Sequence, residues 1–330
     1  MSPRPRPTRA VPDAALVGRF AADLDALAAP DARLGIAVSG GPDSLALLLL
    51  ASAARPGLIE AATVDHRLRP ESADEVRMVA SVCERLDTPH STLRIEWAVK
   101  PDSGVQERAR TERYRLLGRW ASERGLEAIV TAHHLDDQAE TLVMRLNRGS
   151  GARGLAAMRS LAVVPGSDLP LVRPLLGWRR LELEEVCRTA GIEPVDDSSN
   201  RDEQFERVRI RRGLAEAEWL DPEAIARSAA HLASADSALD WAAEREWQSQ
   251  VTRCGKAIFY QPAAPTEIRR RIVARCIAAL ASEGQGEVVR GRELDRLVDS
   301  LSDGATATLR GVLCSGGDKW RFAPAPPRNS

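Results

Sequence analysis

The apolar positions in the first half of the chain fall into short runs separated by longer stretches with helical spacing. Residues 34–39 (Leu-Gly-Ile-Ala-Val-Ser) form a β-rich run, followed by a glycine turn and a helical pattern over 44–54. A second run, 59–64, precedes a helix over 72–86, and a third, 91–97, precedes a long Arg/Glu-laced helix over 105–123. A fourth run, 126–131, leads into a helix over about 136–146. Apolar runs alternating with helices predict βαβ units, hence an α/β fold with a doubly wound, Rossmann-like parallel sheet covered on both faces. Right-handed crossovers then set every strand-to-helix loop along one sheet edge, where ligands bind in such folds.

Beyond Gly149 the pattern changes. Residues 149–154 (Gly-Ser-Gly-Ala-Arg-Gly) read as a flexible basic loop, 173–176 as extended, 179–190 as a helix stopped by Gly191, and 197–200 as polar turn chemistry. From Glu216 onward helices are expected over 223–251, 267–281 and 293–301, with one hairpin over 306–322 turning at 315–318. The expected organisation is a tail and first helix over 1–30, an α/β domain over 31–215, and a smaller, mostly helical C-terminal domain over 216–330. The seven tryptophans are read as packing residues.

Composition narrows the class. With 330 residues, 44% of them apolar, the chain can bury a substantial core. No apolar run approaches the ~18 residues of a membrane helix, and the Pro/Arg-rich N-terminus does not resemble a secretory signal. Five scattered cysteines without a C-x-x-C pair argue against disulfides or structural zinc and for a reducing cytoplasm. The net charge of -1 conceals an asymmetry, because every basic residue except Lys100, Lys256 and Lys319 is arginine. Arg145, Arg148, Arg153 and Arg159 lie in an acid-free stretch, and Arg207, Arg209, Arg211 and Arg212 crowd another. Such clusters suit phosphate recognition, while overall neutrality favours a shaped basic surface over a nonspecific DNA coat.

The sharpest local feature is Ser39-Gly40-Gly41-Pro42-Asp43-Ser44, between a predicted strand and a predicted helix. Two glycines allow close approach to an anion, the helix start offers unpaired N–H groups, and the serines can add hydroxyl donors. Asp43 suits a phosphate site only with Mg²⁺ between them. The lysine of a Walker A loop is absent. An ordinary β-turn-α connection is the competing reading. Ser-Gly-Gly-x-Asp-Ser in this context resembles the PP-loop ATP pyrophosphatases, which cleave ATP to AMP and pyrophosphate.

A second feature is Ala132-His-His-Leu-Asp-Asp-Gln-Ala-Glu-Thr141. Helical spacing sets His133, Asp137, Glu140 and Thr141 on one face, and Leu135, Ala139, Leu142, Val143 and Leu146 on the face expected to be buried. A capped, solvated helix start would explain the acids but not the histidines.

With this element the likeness narrows to the tRNA(Ile)-lysidine synthetase family. The same order holds Val64-Asp-His-Arg-Leu-Arg69, Ala109-Arg-x-x-Arg-Tyr114, Arg173-Pro-Leu-Leu176, Asp197-Ser-Ser-Asn200 and Phe205-x-Arg-x-Arg-Ile-Arg211. The resemblance implies that ATP adenylates the wobble cytidine of a CAU-anticodon isoleucine tRNA, and that free L-lysine then displaces AMP. It implies ATP and Mg²⁺ as cofactors, tRNA and lysine as partners, a tRNA contact for the C-terminal domain over 216–330, and no membrane or DNA; a homodimer stays open.

The expected catalytic residues are Asp43, Asp137, Glu140, His133 and Arg113. The nucleotide is expected on Ser39, Gly40, Gly41, Pro42, Asp43, Ser44 and His66, with Asp43 as the Mg²⁺ ligand. Lysine or tRNA is expected at Asp137, Glu140, Arg110, Arg145, Arg148, Arg153, Arg207 and Arg211. The competing readings are a tRNA cytidine thiolase, disfavoured by the absent C-x-x-C pair, and a non-catalytic RNA-binding scaffold.

Overall fold

The computed structural model describes residues 12–67, 72–97, 104–194, 204–281, 289 and 291–326. The sequence blocks at 68–71 and 197–200 therefore lie outside the described residues. The chain divides into two compact units, one comprising 1–148 with 157–229, the other 149–156 with 230–330.

In chain order the elements begin α1 (Ala14–Asp25), β1 (Leu34–Ala37), α2 (Pro42–Ala54), β2 (Ile59–Asp65), α3 (Ser72–Leu86), β3 (His90–Arg94) and α4 (Val105–Arg124). They continue with β4 (Ala128–Val130), α5 (Leu135–Asn147), α6 (Ala152–Leu155), β5 (Leu161–Val163), β6 (Pro170–Val172), α7 (Arg180–Thr189), α8 (Glu206–Glu216) and α9 (Pro222–Gln250). Of these, α6 belongs to the second unit and α9 runs through the division after Ala229. The expected boundary near 215 thus falls earlier than the observed division. A continuous helix carries no composition break to mark the latter.

The first unit holds a six-stranded sheet in the order β3-β2-β1-β4-β6-β5. All neighbours pair in parallel except the edge strand β5, which runs antiparallel to β6. Leu34 of β1 pairs with Ile59 on one side and Ala128 on the other, so strand order reverses around β1. That switch point brings the loops after β1 and β4 side by side. Leu45 to Ala51 of α2 are wholly buried, enclosed by the sheet on one side and by α1 and α7 on the others, which is why its pattern reads as continuously apolar. Tyr114, Leu117, Trp120 and Ala121 of α4 pack with Ile129 and Leu171 in a separate cluster.

The second unit continues with β7 (Val251–Cys254), β8 (Ala257–Tyr260), α10 (Thr266–Leu280), α11 (Arg292–Ser302), β9 (Thr306–Leu309), β10 (Val312–Ser315) and β11 (Trp320–Pro324). Its strands form an antiparallel sheet, β7-β8-β11-β10-β9. The three expected helices are present, but the single expected hairpin proves to be part of a five-stranded sheet. These strands have only four or five residues, too few for a period-2 signal to stand out. Arg310 and Gly311, at φ of 50° and 73°, turn β9 into β10 as a two-residue hairpin loop requires.

Two further expectations fail on burial. Trp219 and Trp241 are 82% and 64% exposed, so they are not packing residues. On α5, Leu146 is 58% exposed whereas Gln138 and Glu140 are buried, so the helix turns an acid inward. The cause is α8, a strongly polar helix invisible to hydrophobic patterning, which packs on α5 and supplies partners for that acid.

Candidate active site

The loop after β1 is stapled by its own serines. The Ser39 N–H donates to Ser44 Oγ at 3.1 Å, Ser44 Oγ donates to the Gly41 carbonyl at 3.0 Å, and the two hydroxyls lie 3.1 Å apart. Ser44 is thus buried and committed to shaping the loop, whereas Ser39 is exposed. Gly40 sits at φ 87°, where a side chain would be strained. Gly41 caps α2 without any side-chain hydrogen bond and Pro42 takes the first turn, which leaves the helix N-terminal N–H groups for a ligand.

The loop after β4 supplies the other wall. His134 caps α5: its backbone N–H donates to Asp137 Oδ2 at 3.1 Å, and the Asp137 N–H donates to His134 Nδ1 at 3.3 Å. The other ring nitrogen, Nε2, lies 3.5 Å from both Asp43 Oδ2 and Asp137 Oδ2. Burial alone would lower the His134 pKa, but the bond to Asp43 and the charges of Asp137, Asp43 and Asp136 raise it. Asp43 keeps its second oxygen, Oδ1, buried and without a partner.

Between these loops opens a cavity of about 670 Å³, bordered by Ser39, Gly41, Asp43, His66, Arg110, Arg113 and His133. His133 is bonded to Thr131 Oγ1 through Nδ1 at 3.0 Å. Burial, then the charges of Arg173, Arg113, Arg207 and Arg110, push its pKa down to about 2, so the ring is neutral at pH 7. The guanidinium groups of Arg110 and Arg113 lie 5.1 and 5.0 Å from the Tyr114 ring. Burial would raise the Tyr114 pKa, yet Arg113, Arg110 and Arg173 hold it below the usual phenol value. The Nε atoms of Arg113 and Arg173 are buried without hydrogen-bond partners. This is a cationic, partly desolvated wall around a neutral imidazole, suited to an incoming phosphate.

Asp137 and Glu140 face α8. Arg207 donates to Glu140 Oε2 through Nε at 2.7 Å and to Asp137 Oδ1 through Nη2 at 2.5 Å. Arg211 donates to Glu140 Oε1 at 2.6 Å. The Glu140 side chain is only 3% exposed, and both of its oxygens are taken. Despite burial, the bond to Glu140 raises the Arg211 pKa.

The arginines of the basic stretch are dispersed. Arg145 donates to the Ala157 carbonyl at 2.9 Å, and Arg148 pairs with Glu206. Arg153, in the second unit, pairs with Asp240. Sequence reasoning passed over His134, Arg173 and Asp136. Asp136 accepts from the Arg180 N–H at 2.8 Å and pairs with Arg179, tying α7 to α5. The capping position of His134 and the block at 173–176 were the available signals.

Comparison with known proteins bears on this geometry. A family model described as a PP-loop domain matches residues 16–218. The tRNA(Ile)-lysidine synthase of Novosphingobium aromaticivorans is 48% identical over 317 residues, covering 94% of both chains. That of Zymomonas mobilis is 41% identical over 299 residues, covering 90% of this chain and 89% of its own. The chain belongs to the tRNA(Ile)-lysidine synthase family. Among solved structures, the U34-tRNA thiolase NcsA from Methanococcus maripaludis aligns with a TM-score of 0.56 at 15% identity. That alignment covers 66% of this chain and 79% of the thiolase, a likeness of fold alone. Within the family assignment, the loop after β1 is the PP-loop, and the histidine-capped acidic helix stands beside it across the switch point.

Proposed function

We propose that the chain joins free L-lysine to the wobble cytidine of a CAU-anticodon tRNA(Ile), using ATP and releasing pyrophosphate and AMP. The modified base would pair with A instead of G, changing the codon read from AUG to AUA and the amino-acid identity from methionine to isoleucine. The observation that carries this reading is the meeting of the PP-loop with the arginine-ringed His133 in one cavity, within a chain of this family.

Asp43 fits a magnesium ion, because its Oδ1 is buried, unpartnered and beside the loop. Mg²⁺ usually takes one or two carboxylates and completes its shell with water and phosphate oxygens, so a single acid suffices. When bound there it would supply charge neutralisation for the departing pyrophosphate.

In the first step the cytosine carbonyl oxygen attacks the α-phosphorus, forming an O–P bond as the bond to pyrophosphate breaks. The N–H groups at the start of α2 hold the β- and γ-phosphates. Arg110 and Arg113 line the cavity and face the α-phosphate charge, and the neutral His133 can hydrogen-bond there without adding repulsion. In the second step the ε-amine of lysine attacks the activated ring carbon and AMP leaves.

Lysine's amine has an unperturbed pKa near ~10.4 and must shed a proton before attacking. We assign the ammonium to Asp137, whose carboxylate takes the proton that the amine sheds, and lysine's carboxylate to Arg207 and Arg211. An amino acid entering between α5 and α8 would exchange one ion pair for two complementary ones. Glu140, with both oxygens occupied, holds the arginines in place. His66 borders the cavity on the β2 side and is read as a nucleoside contact.

The test combines purified protein, ATP, Mg²⁺ and labelled lysine with two transcripts, an isoleucine tRNA carrying CAU and a methionine tRNA with the same anticodon. Label entering only the isoleucine transcript, with AMP released, is the expected result. ATP cleavage to AMP without lysine incorporation would retain the nucleotide site and overturn lysine as co-substrate.

A further inference from the structure

The five-stranded sheet of the second unit has two unlike faces. Ile258, Tyr260, Val312, Cys314, Trp320 and Phe322 point into the core with α10 and α11. The opposite face is assembled by register. Thr252 pairs with Phe259, Phe259 with Arg321, Arg321 with Ser315, and Ser315 with Thr306, a single cross-strand row over all five strands. Thr252, Arg321 and Thr306 are exposed, and Phe259 and Ser315 are half-buried.

Charge on this layer is one-sided. None of the five strands contains an aspartate or glutamate, and Asp318 is the sole acid in the tight turns joining β7 to β8, β9 to β10 and β10 to β11. Two of the chain's three lysines, Lys256 and Lys319, sit in those turns. The Lys319 ammonium lies 5.4 Å from the Phe259 ring centre, and Arg321 stands directly across the strand from Phe259. An aromatic ring flanked by a guanidinium and an ammonium, rimmed by hydroxyls and lacking carboxylates, matches the needs of an unpaired nucleotide. Its base stacks on the ring, its phosphates meet the cations, and its polar edges meet hydroxyls. A protein partner of mixed charge would find no strand carboxylate here to pair with its own cations.

We propose that this face is a stacking platform for a single-stranded segment of RNA, with Phe259 as the stacking ring and Lys319 and Arg321 as phosphate contacts. Lys319 has a flexible four-carbon stem, so it can leave the ring for a phosphate as a base takes its position. The proposal rests on tRNA being the substrate, and it assigns to the second unit a contact distinct from the PP-loop cavity.

The test measures binding of the full chain to the isoleucine transcript and to a short single-stranded RNA across a potassium chloride series, alongside lysine incorporation. Phe259→Ala should weaken both complexes about tenfold with the salt slope unchanged, and Phe259→Trp should restore them. Replacing Lys319 and Arg321 by Gln together should lower the slope of log K against log salt by about 1.4, two single-strand phosphate contacts. Thermal unfolding of each variant matching the parent keeps the comparison valid. Unchanged affinity and slope in both variants would overturn the platform even if lysine is incorporated. Reduced RNA binding without any lysine incorporation would leave the platform standing and remove the catalytic reading instead. A chain that is dimeric, and that Phe259→Ala makes monomeric with RNA affinity unchanged, would show the face to be a self-association surface and overturn the proposal.

Discussion

His134 Nε2 lies 3.5 Å from Asp43 Oδ2 and equally far from Asp137 Oδ2, so one buried ring joins the PP-loop to the acidic helix across the switch point. Its other nitrogen accepts the Asp137 N–H, which directs the ring proton towards the two carboxylates. His134→Asn keeps a helix cap but loses the reach to Asp43. Groups that orient a metal-binding carboxylate typically matter by about 10–100-fold. The expected result is a fall of that order in pyrophosphate release and a higher Mg²⁺ requirement, with tRNA affinity unchanged. Equal Mg²⁺ dependence in parent and variant would refute the orienting role.

His133 makes a prediction about acid stability. Its pKa in the folded chain is about 2, against the ordinary imidazole value of 6.5, because burial and four arginines oppose its protonation. Between those values the unfolded chain binds a proton that the folded chain does not. The stabilising contribution is therefore present above pH 6.5 and lost as pH falls, at a limiting rate of about 1.4 kcal/mol per pH unit. Urea unfolding at pH 7.5 and 5.5 should show a steeper loss in the parent than in His133→Asn. Parallel losses would mean that the ring is already charged in the folded protein.

Much of the first unit was legible in the chain because its signals are local. The α3 boundaries, 72–86, follow from an amphipathic pattern, and the PP-loop follows from Ser39 to Ser44 lying between a strand and a helix. What escaped prediction depends on tertiary partners. Glu140 is an acid turned inward, which no pattern on α5 can announce, because its partners Arg207 and Arg211 come from α8. Arg173 gains its role from Tyr114 and His133, both distant in sequence. Strands β5 and β6 have three residues each, below the length at which alternation can be read.

The Glu140 cluster should be sensitive to charge rather than shape. Glu140→Gln conserves volume but leaves two guanidinium groups without their shared carboxylate, one of them 40% exposed and able to turn towards water. That relief limits the cost, so a destabilisation of about 1–3 kcal/mol is expected, with lysine incorporation lost. Arg148→Ala, which breaks a pair whose arginine is 60% exposed, should change stability by less than about 1 kcal/mol. Denaturant midpoints read both. Equal effects from the two substitutions would show that burial of Glu140 contributes nothing.

The second unit carries a more deeply buried ion cluster. The Arg271 side chain is 6% exposed and donates to Asp236 Oδ1 at 2.5 Å and Asp240 Oδ1 at 2.6 Å, and the Asp236 side chain is 1% exposed. Asp240 also pairs with Arg153, so the basic loop is anchored to α9 by the acids that satisfy Arg271. Removing one partner of a buried pair strands the other, at a cost of about 3–5 kcal/mol. Arg271→Ala should therefore destabilise the protein by that amount, while Arg271→Met combined with Asp236→Leu should recover most of it by leaving no charge buried. Arg153→Ala should cost under about 1 kcal/mol, since Arg153 is 54% exposed. Because Asp240 already offsets its charge, the same substitution should alter the salt slope of tRNA binding by less than one phosphate contact. A full contact's worth of change would make Arg153 an RNA ligand rather than an anchor for the loop.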